Sequence, residues 1–471
     1  MKRFFQPILL LVLLLLCGCS QVSPYPDWVS TDEGQRYYSE EDTYATGWTT
    51  IEGKAYYFDR DGWLQTGWLE LEDKLYFADE TGAVQSGWVT LDGGTYYFDP
   101  LQNHAAATGW LQVEDKLYFA DAAGVMQDGW LNQDGDTYYF DPLQNYAAVT
   151  GWLQLEGKQY HFGADGILSC GWVTIDNAMH WFDQDGLPGN GWMKQKEGTY
   201  YLSSNGKAQT GWLELEGERY YFDDAGHMQT GWVTLEDGRY YLTSKGTATR
   251  GFVMLNNQSY YFDQNGRMAT GKQVIDGQTC YFEESGAQIL LVNPWNYLPD
   301  HYTTELGITQ NGLKVSVVCQ DALAEMLKGL RQAGHAVRIK SANRTTGDQR
   351  YLHNNKVQQY INMGYSQEEA KAIAATIVAI PGTSEHQLGL AVDLADVNYL
   401  TLNRHQETMP AQKWLMEHCW EYGFILRYPN EKSEITGTIY EPWHYRYVGK
   451  ELALKIRDSG LCLEEYLETM F

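Results

Sequence analysis

The sequence is poor in cations: 34 Lys and Arg stand against 61 Asp and Glu, a formal net charge of -27 over 471 residues. A nucleic-acid partner is excluded on that ground, because phosphate binding needs a basic footprint. Cysteine is scarce as well, 7 in the chain, and none stands in a Cys-x-x-Cys pair. Structural zinc knuckles and thioredoxin-type sites are excluded accordingly. Apart from Cys17 and Cys19, the cysteines are Cys170, Cys280, Cys319, Cys419 and Cys462. An odd set cannot pair completely within one chain. Cys319–Cys419 and Cys419–Cys462 bridges stay open, beside the ordinary reading as small buried hydrophobes. After the N-terminus no apolar run of about 18 residues follows, so no second membrane anchor is expected.

What is abundant is aromatic and small: 17 Trp, 35 Tyr and 47 Gly, with 12 Pro. Such a composition calls for a search for repeats. The acid is uneven too, with a net charge of -4 from Leu291 onward and -23 before it. That asymmetry points to two chemically different parts meeting near residue 290.

The chain opens with Lys2 and Arg3 followed by the apolar run Ile8–Leu16. This is the layout of an export signal, too short to span a bilayer comfortably. It ends in Leu16-Cys17-Gly18-Cys19, which resembles the bacterial lipobox. The resemblance implies a signal peptide over 1–18 and lipidation at Cys19. The protein would then be held at the outer face of the bacterial membrane without spanning it. Residues 19–45 read as a linker.

From Gly47 a unit of 20 residues recurs, lengthened to 22 in the copies containing DPLQNHAAATGW and DPLQNYAAVTGW. Gly-Trp pairs place Trp48, Trp68, Trp88, Trp110, Trp130, Trp152, Trp172, Trp192, Trp212 and Trp232 in register, and Phe252 and Lys272 continue it. Strand residues between regular Gly turns predict a β-hairpin per unit. One hairpin is unstable alone, so about 12 copies over 46–288 are expected to stack as an all-β solenoid burying Trp and Tyr. The units resemble the choline-binding and cell-wall-binding repeats of Gram-positive surface proteins and the carbohydrate-binding repeats of clostridial toxins. By that resemblance the ten tryptophans are ligand-binding candidates. In the choline family an aromatic stands just before the Tyr-Tyr pair. Here that position holds Ala55, Leu75, Thr95, Leu117 or Arg219, among others, which thins the cage. A choline-bearing teichoic acid and a polysaccharide both stay open as the wall polymer.

After residue 290 the periodicity changes. DALAEMLKGLRQAGH, SQEEAKAIAATIVAIPG and PAQKWLMEHCWEYGF read as helices, the second opening with a Ser366/Glu369 capping box. AVRIKSAN, GLAVDLAD and EPWHYRYV read as strands. The mixed order over 289–471 predicts an α+β domain, so the chain is expected to be multidomain.

Within that domain His386, Asp393 and His444 supply two imidazoles and a carboxylate, the donor set of a catalytic zinc with a fourth position for water. Glu441, three residues before His444, is placed to act as general base. SEHQLGLAVD and EPWH resemble the SxHxxGxAxD and ExxH signatures of the zinc D,D-carboxypeptidases and dipeptidases of peptidoglycan, the VanY/VanX type, and lie nearer the carboxypeptidase branch. The resemblance implies Zn2+ on His386, Asp393 and His444, with Glu441 as catalytic base. It implies Arg344 on the substrate's terminal carboxylate, and Gln349 and Ser384 as polar substrate contacts. The expected partners are peptidoglycan stem peptides, a wall polymer bound by the repeats, and the membrane through the N-terminal lipid. The expected activity is removal of the C-terminal D-Ala. An L,D-carboxypeptidase on tetrapeptide stems, a non-catalytic adhesin and a lytic endopeptidase are the alternatives; the tether speaks against the last.

Overall fold

A computed structural model of the chain describes residues 26–470; the export segment and Cys19 lie outside them. The chain divides into two compact units. One runs to Lys194 and includes Tyr201–Ala208; the other comprises Gln195–Tyr200 and everything from Gln209 onward.

In the first unit the repeat is an antiparallel hairpin in a constant register. Gly47 lies opposite Phe58, Trp48 opposite Tyr57 and Thr49 opposite Tyr56, and the next copy pairs Gly67, Trp68 and Leu69 with Ala78, Phe77 and Tyr76. Opposed residues share a face and successive ones alternate. Phe58, Tyr56 and Ile51 are therefore buried together, and Trp48 turns to the other face. In most of these copies an Asp closes the hairpin, with Gly163 and Ser203 at that position in two of them: Oδ1 of Asp59 accepts from the backbone N–H groups of Asp61 and Trp63, both at 2.9 Å. Gly62 in that turn has φ +78, and a Cβ there would lie 2.1 Å from the Tyr44 ring, so glycine is required. In the 22-residue copies the extra residues form one 3-10 turn, Pro100–Gln102 or Pro142–Gln144, each capped by the preceding Asp.

The aromatic residues split their roles, which the sequence does not distinguish. Tyr76, Tyr118 and Tyr138 are buried, whereas Trp48, Trp68, Trp88, Trp110, Trp130, Trp152 and Trp192 remain 37–45% exposed. Each such Trp packs against aromatic rings at a steep angle rather than sinking into the core, and a Tyr is among them in every case but Trp152, which meets His161 and His180. Trp48 lies 5.2 Å from Tyr57 of its own hairpin and 4.8 Å from Tyr76 of the next.

Of the linker expected over 19–45, residues 19–25 lie outside the described residues; the rest is corrected, since Asp27–Thr31 and Gly34–Glu40 form a further hairpin, joined by Thr43–Tyr44. Trp28 packs 5.1 Å from Tyr56, as Trp48 does on Tyr76. Asp27 replaces the usual glycine, which hides the copy, although Trp28 stands the repeat distance before Trp48.

The second unit carries the hairpins from Gly211 to Phe282 and the C-terminal α+β domain. That domain runs β1 (Leu306–Ile308), β2 (Lys314–Ser316), α1 (Val317–Gln332), β3 (Val337–Ser341), α2 (Thr346–Asn362), α3 (Gln367–Ala375), β4 (Ala391–Asp396), α4 (Pro410–His418), β5 (Phe424–Leu426), α5 (Ser433–Thr436), β6 (His444–Tyr447), α6 (Lys450–Ser459) and α7 (Leu463–Thr469). The main sheet is antiparallel in the order β3-β4-β6-β5. Helix α1 buries Leu323, Met326 and Leu330, three and four residues apart, against Ile339, Val392 and Leu394 of β3 and β4. The capping box at Ser366 and Glu369 is formed. Strand β4, read as alternating, is buried at every position because it is central.

The boundary near residue 288 is not a packing boundary. Tyr281 and Ile289 share a core with Leu452, Ile456, Leu463 and Leu467 of α6 and α7. Phe252 stacks on His301 with centroids 3.8 Å apart, and Lys272 pairs with Glu468 of α7 at 2.6 Å. Cys319, Cys419 and Cys462 are buried free thiols, so neither candidate bridge forms.

Candidate active site and metal centre

The sheet register assembles the site. Asp393 of β4 lies opposite His444 of β6 on one side and Ser341 of β3 on the other. Cross-strand partners bring their Cβ atoms to about 5 Å, so two distant motifs become neighbours. His386 comes from the 3-10 turn Glu385–Leu388, which ends at Gly389 with φ 72. A Cβ at Gly389 would approach the Ser316 nitrogen to 3.1 Å.

His386, Asp393 and His444 each present a donor atom within 4.8 Å of the others, and all three are buried. Nε2 of His386 lies 3.1 Å from Oδ2 of Asp393, and Nδ1 of His444 lies 3.0 Å from Oδ1. Nδ1 of His386 donates to the Ala342 carbonyl at 2.7 Å. Its Nε2 lone pair therefore faces a carboxylate oxygen. Burial, reinforced by the Arg344 charge and opposed by Asp393, lowers the His386 pKa to about 4 and keeps the ring neutral. Two acceptors held face to face in a buried site fit a bound cation. Burial works against charge on Asp393, yet the two imidazoles hold its carboxyl well below the usual range. For His444 burial is outweighed by the hydrogen bond to Asp393 and by the facing Glu385 carboxylate, which together raise its pKa to about 9.

Glu441 precedes β6, with Oε2 3.7 Å from Nδ1 of His444. Burial, opposed by His444 and reinforced by Asp393, pushes its carboxyl up to about 8. Arg344 follows β3. Its Nη2 donates to Asp393 at 3.0 Å, Nη1 to Gln349 at 3.2 Å and Nε to Ser341 at 2.9 Å. The side chain stays 19% exposed and lines a cleft of about 670 Å³ with Ser384, His386, Asp393, Glu441 and His444.

Gln349 is the exception among the expected contacts. It is fully buried, with Nε2 spent on the Ala379 carbonyl at 2.7 Å and Oε1 on Arg344. It braces Arg344 instead of facing the cleft, because α2 carries it behind the guanidinium. Asp396, near the motif but outside it, caps α4 by accepting from Ala411 N–H. Sequence reasoning missed Glu385, Arg427 and Tyr428. Tyr428 lines the cleft with its ring 4.8 Å from His444. Glu385 and Arg427 form a fully buried pair at 2.7 Å behind the site. No residue spacing signals either contact.

A family model described as VanY, D-alanyl-D-alanine carboxypeptidase, matches residues 312–450. A D-alanyl-D-alanine carboxypeptidase of Enterococcus faecalis is 45% identical over 188 residues, 40% of this chain and 68% of that protein. The chain belongs to the VanY family of D-alanyl-D-alanine carboxypeptidases. This VanY-family chain also matches the choline-binding repeat over residues 45–85 and 249–295. Five stretches between 86 and 228 match a model described as "Putative cell wall binding repeat". Among solved structures, a VanY D,D-pentapeptidase from a VanB-type resistance cassette, in complex with Zn(II), is 44% identical, covering 38% of this chain and 97% of its own, with TM-score 0.35. CbpJ from Streptococcus pneumoniae is 27% identical, covering 52% of this chain and 99% of its own, with TM-score 0.36.

Proposed function

We propose that this VanY-family protein is a zinc-dependent D,D-carboxypeptidase of peptidoglycan, exported, tethered by lipid at Cys19 and targeted to the cell wall by its repeats. The observation that carries the reading is the buried cluster of His386, Asp393 and His444 opening with Glu441 and Arg344 onto one cleft. His386, Asp393 and His444 would hold the metal. Bound there, a zinc ion would supply a Lewis acid for the scissile carbonyl and lower the pKa of water towards 7.

The remaining chemistry belongs to side chains. Each nitrogen of the Arg344 guanidinium already donates one hydrogen bond, which leaves the second N–H of Nη1 and of Nη2 to offer to the terminal carboxylate of the stem peptide, a role that suits a guanidinium. Gln349 and Ser341 hold that guanidinium in place, so only a chain end fits. Glu441 takes the proton of the attacking water and returns it to the leaving D-alanine amine. A buried carboxyl with a raised pKa suits a group that must both accept and donate. Ser384 offers a polar contact at the cleft wall.

The exposed tryptophans support the targeting half. Ring faces at a regular spacing suit a repeating ligand bound by many weak contacts, either ammonium groups over aromatic faces or sugar rings stacked on them. At Trp212 and Trp232 the guanidiniums of Arg219 and Arg239 already lie over the ring, 4.2 and 4.6 Å from the centroids. Trp172 is also less exposed than the other seven, and ligand binding is accordingly assigned to the seven exposed tryptophans.

Mass spectrometry of muropeptides treated with purified protein tests the reading. Pentapeptide stems are expected to lose one D-Ala, and a chelator is expected to stop the loss. Cleavage of tetrapeptide stems alone would replace the D,D assignment by L,D. No cleavage of either by zinc-loaded protein would leave a wall-binding adhesin.

A further inference from the structure

Each imidazole of the cluster turns one ring nitrogen towards Asp393 and the other away. His386 turns Nδ1 away, and the Ala342 carbonyl receives it at 2.7 Å. His444 turns Nε2 away, and that atom is buried with no hydrogen-bond partner. Facing it at 3.6 Å is Oε2 of Glu385, itself buried and without a partner. A potential donor and a potential acceptor, both unspent, thus point at each other among side chains 4% and 0% exposed.

Glu385 is not free to turn elsewhere. Its Oε1 accepts from Nε of Arg427 at 2.7 Å and from Nη1 of Arg446 at 3.0 Å. Arg427 is held from behind by a two-point contact with Glu464, at 2.8 and 2.6 Å. Arg446 is held by the carbonyls of Tyr447 and Leu290 at 2.9 and 3.0 Å. A buried carboxylate is expensive unless both oxygens are served. Two guanidiniums serve Oε1, which leaves Oε2 for one more donor.

We infer that Glu385 is a positioning residue for His444. Its Oε2 accepts the Nε2–H, which fixes the tautomer and the ring rotation and leaves the Nδ1 lone pair for the metal. The inference rests on the zinc reading above and adds what selects the ligating nitrogen of His444. Histidine ligands commonly donate their second N–H to a carboxylate or carbonyl, and losing that partner weakens metal binding about 10- to 100-fold. By this account the Ala342 carbonyl does for His386 what Glu385 does for His444.

Glu385→Gln makes the idea sharp. The amide oxygen must face the two guanidiniums, because an NH2 group there would set donor against donor. The NH2 then faces Nε2, which has to accept, and the imidazole proton moves to Nδ1, where it opposes ligation.

Zinc dissociation constants of full-length wild type, Glu385→Gln and Glu385→Ala, measured by chelator competition, test this. Both variants are expected to bind zinc 10- to 100-fold more weakly, with far-UV circular dichroism unchanged. An unaltered constant in folded variants overturns the inference. Should the variants not fold, histidine-selective 15N spectra of zinc-loaded wild type decide the matter alone. Nε2–H on His444 with a bare, metal-shifted Nδ1 supports the inference, and metal on Nε2 overturns it. Wild type that binds no zinc would defeat the metal reading itself, a separate outcome.

Discussion

Arg427 offers the most quantitative test of how the site is supported. The side chain is fully buried, and its three nitrogens meet Glu385 and Glu464. Arg427→Met removes the cation and keeps most of the volume. Glu464 then loses both bonds of the fork and keeps Asn293 Nδ2 at 3.0 Å; Glu385 is left with Arg446 as its one guanidinium partner. Removing one partner of a buried pair costs about 3–5 kcal/mol, because the other charge stays buried. In a domain of this size each kcal/mol moves Tm by about 2–4 °C, so the C-terminal transition should fall by roughly 6–20 °C. Replacing both partners by apolar side chains is often close to neutral. The double variant Arg427→Met/Glu464→Met should therefore recover most of the loss. The sign with pH also follows. In the folded state burial opposes ionisation of Glu385, but Arg427 and then Arg446 hold its carboxyl well below the usual range. That stability is present above the unfolded carboxylate pKa, near 4.3, and is lost as pH falls through the lower folded value. In Arg427→Met the folded value rises towards the unfolded one, so this pH-dependent contribution shrinks. Calorimetry of the multidomain protein, with the C-terminal transition assigned by limited proteolysis, measures each step. A single variant melting within about 2 °C of wild type, or a double variant less stable than the single, would refute the reasoning.

Glu441→Gln is expected to lower kcat by about 10²- to 10⁴-fold and leave binding to purified wall unchanged; kinetics on a pentapeptide stem paired with wall pull-down separate the two. Gln349→Leu should raise KM more than it lowers kcat, because Arg344 loses a brace and no cleft contact disappears. The same change leaves the Ala379 carbonyl unpaired, at a cost of about 1–3 kcal/mol in denaturant unfolding. In the repeats, Phe140→Ala should cost about 3–5 kcal/mol by opening a core cavity. Trp130→Ala should give up mainly ring contacts of about 0.5–1.5 kcal/mol each, yet weaken wall binding. Equal stability loss in the two variants would count against the split between buried and exposed rings.

Much of this protein is written in local sequence. The repeat period, the turn glycines, the Ser366/Glu369 capping box and the apolar spacing of α1 each depend on neighbours a few residues apart. Backbone geometry and hydrophobic periodicity therefore suffice to read them. His386, Asp393, Glu441 and His444 were legible because their motifs are short and chemically unusual. Helix α2 was not legible, because its buried residues are Gln349 and His353 rather than an apolar stripe.

Tertiary structure decided what local sequence does not contain. The register of β4 against β6 sets Asp393 opposite His444. Burial raises the carboxyl of Glu441 and lowers the imidazole of His386. The course of α2 turns Gln349 from a substrate contact into a brace for Arg344. Docking of α6 and α7 onto Tyr281 and Ile289 erases the boundary that composition suggests. Glu385, one letter between Ser384 and His386, gains its role only because Arg427, Arg446 and His444 arrive from other strands. Charge pairing and desolvation act through space, and only the folded chain fixes those distances.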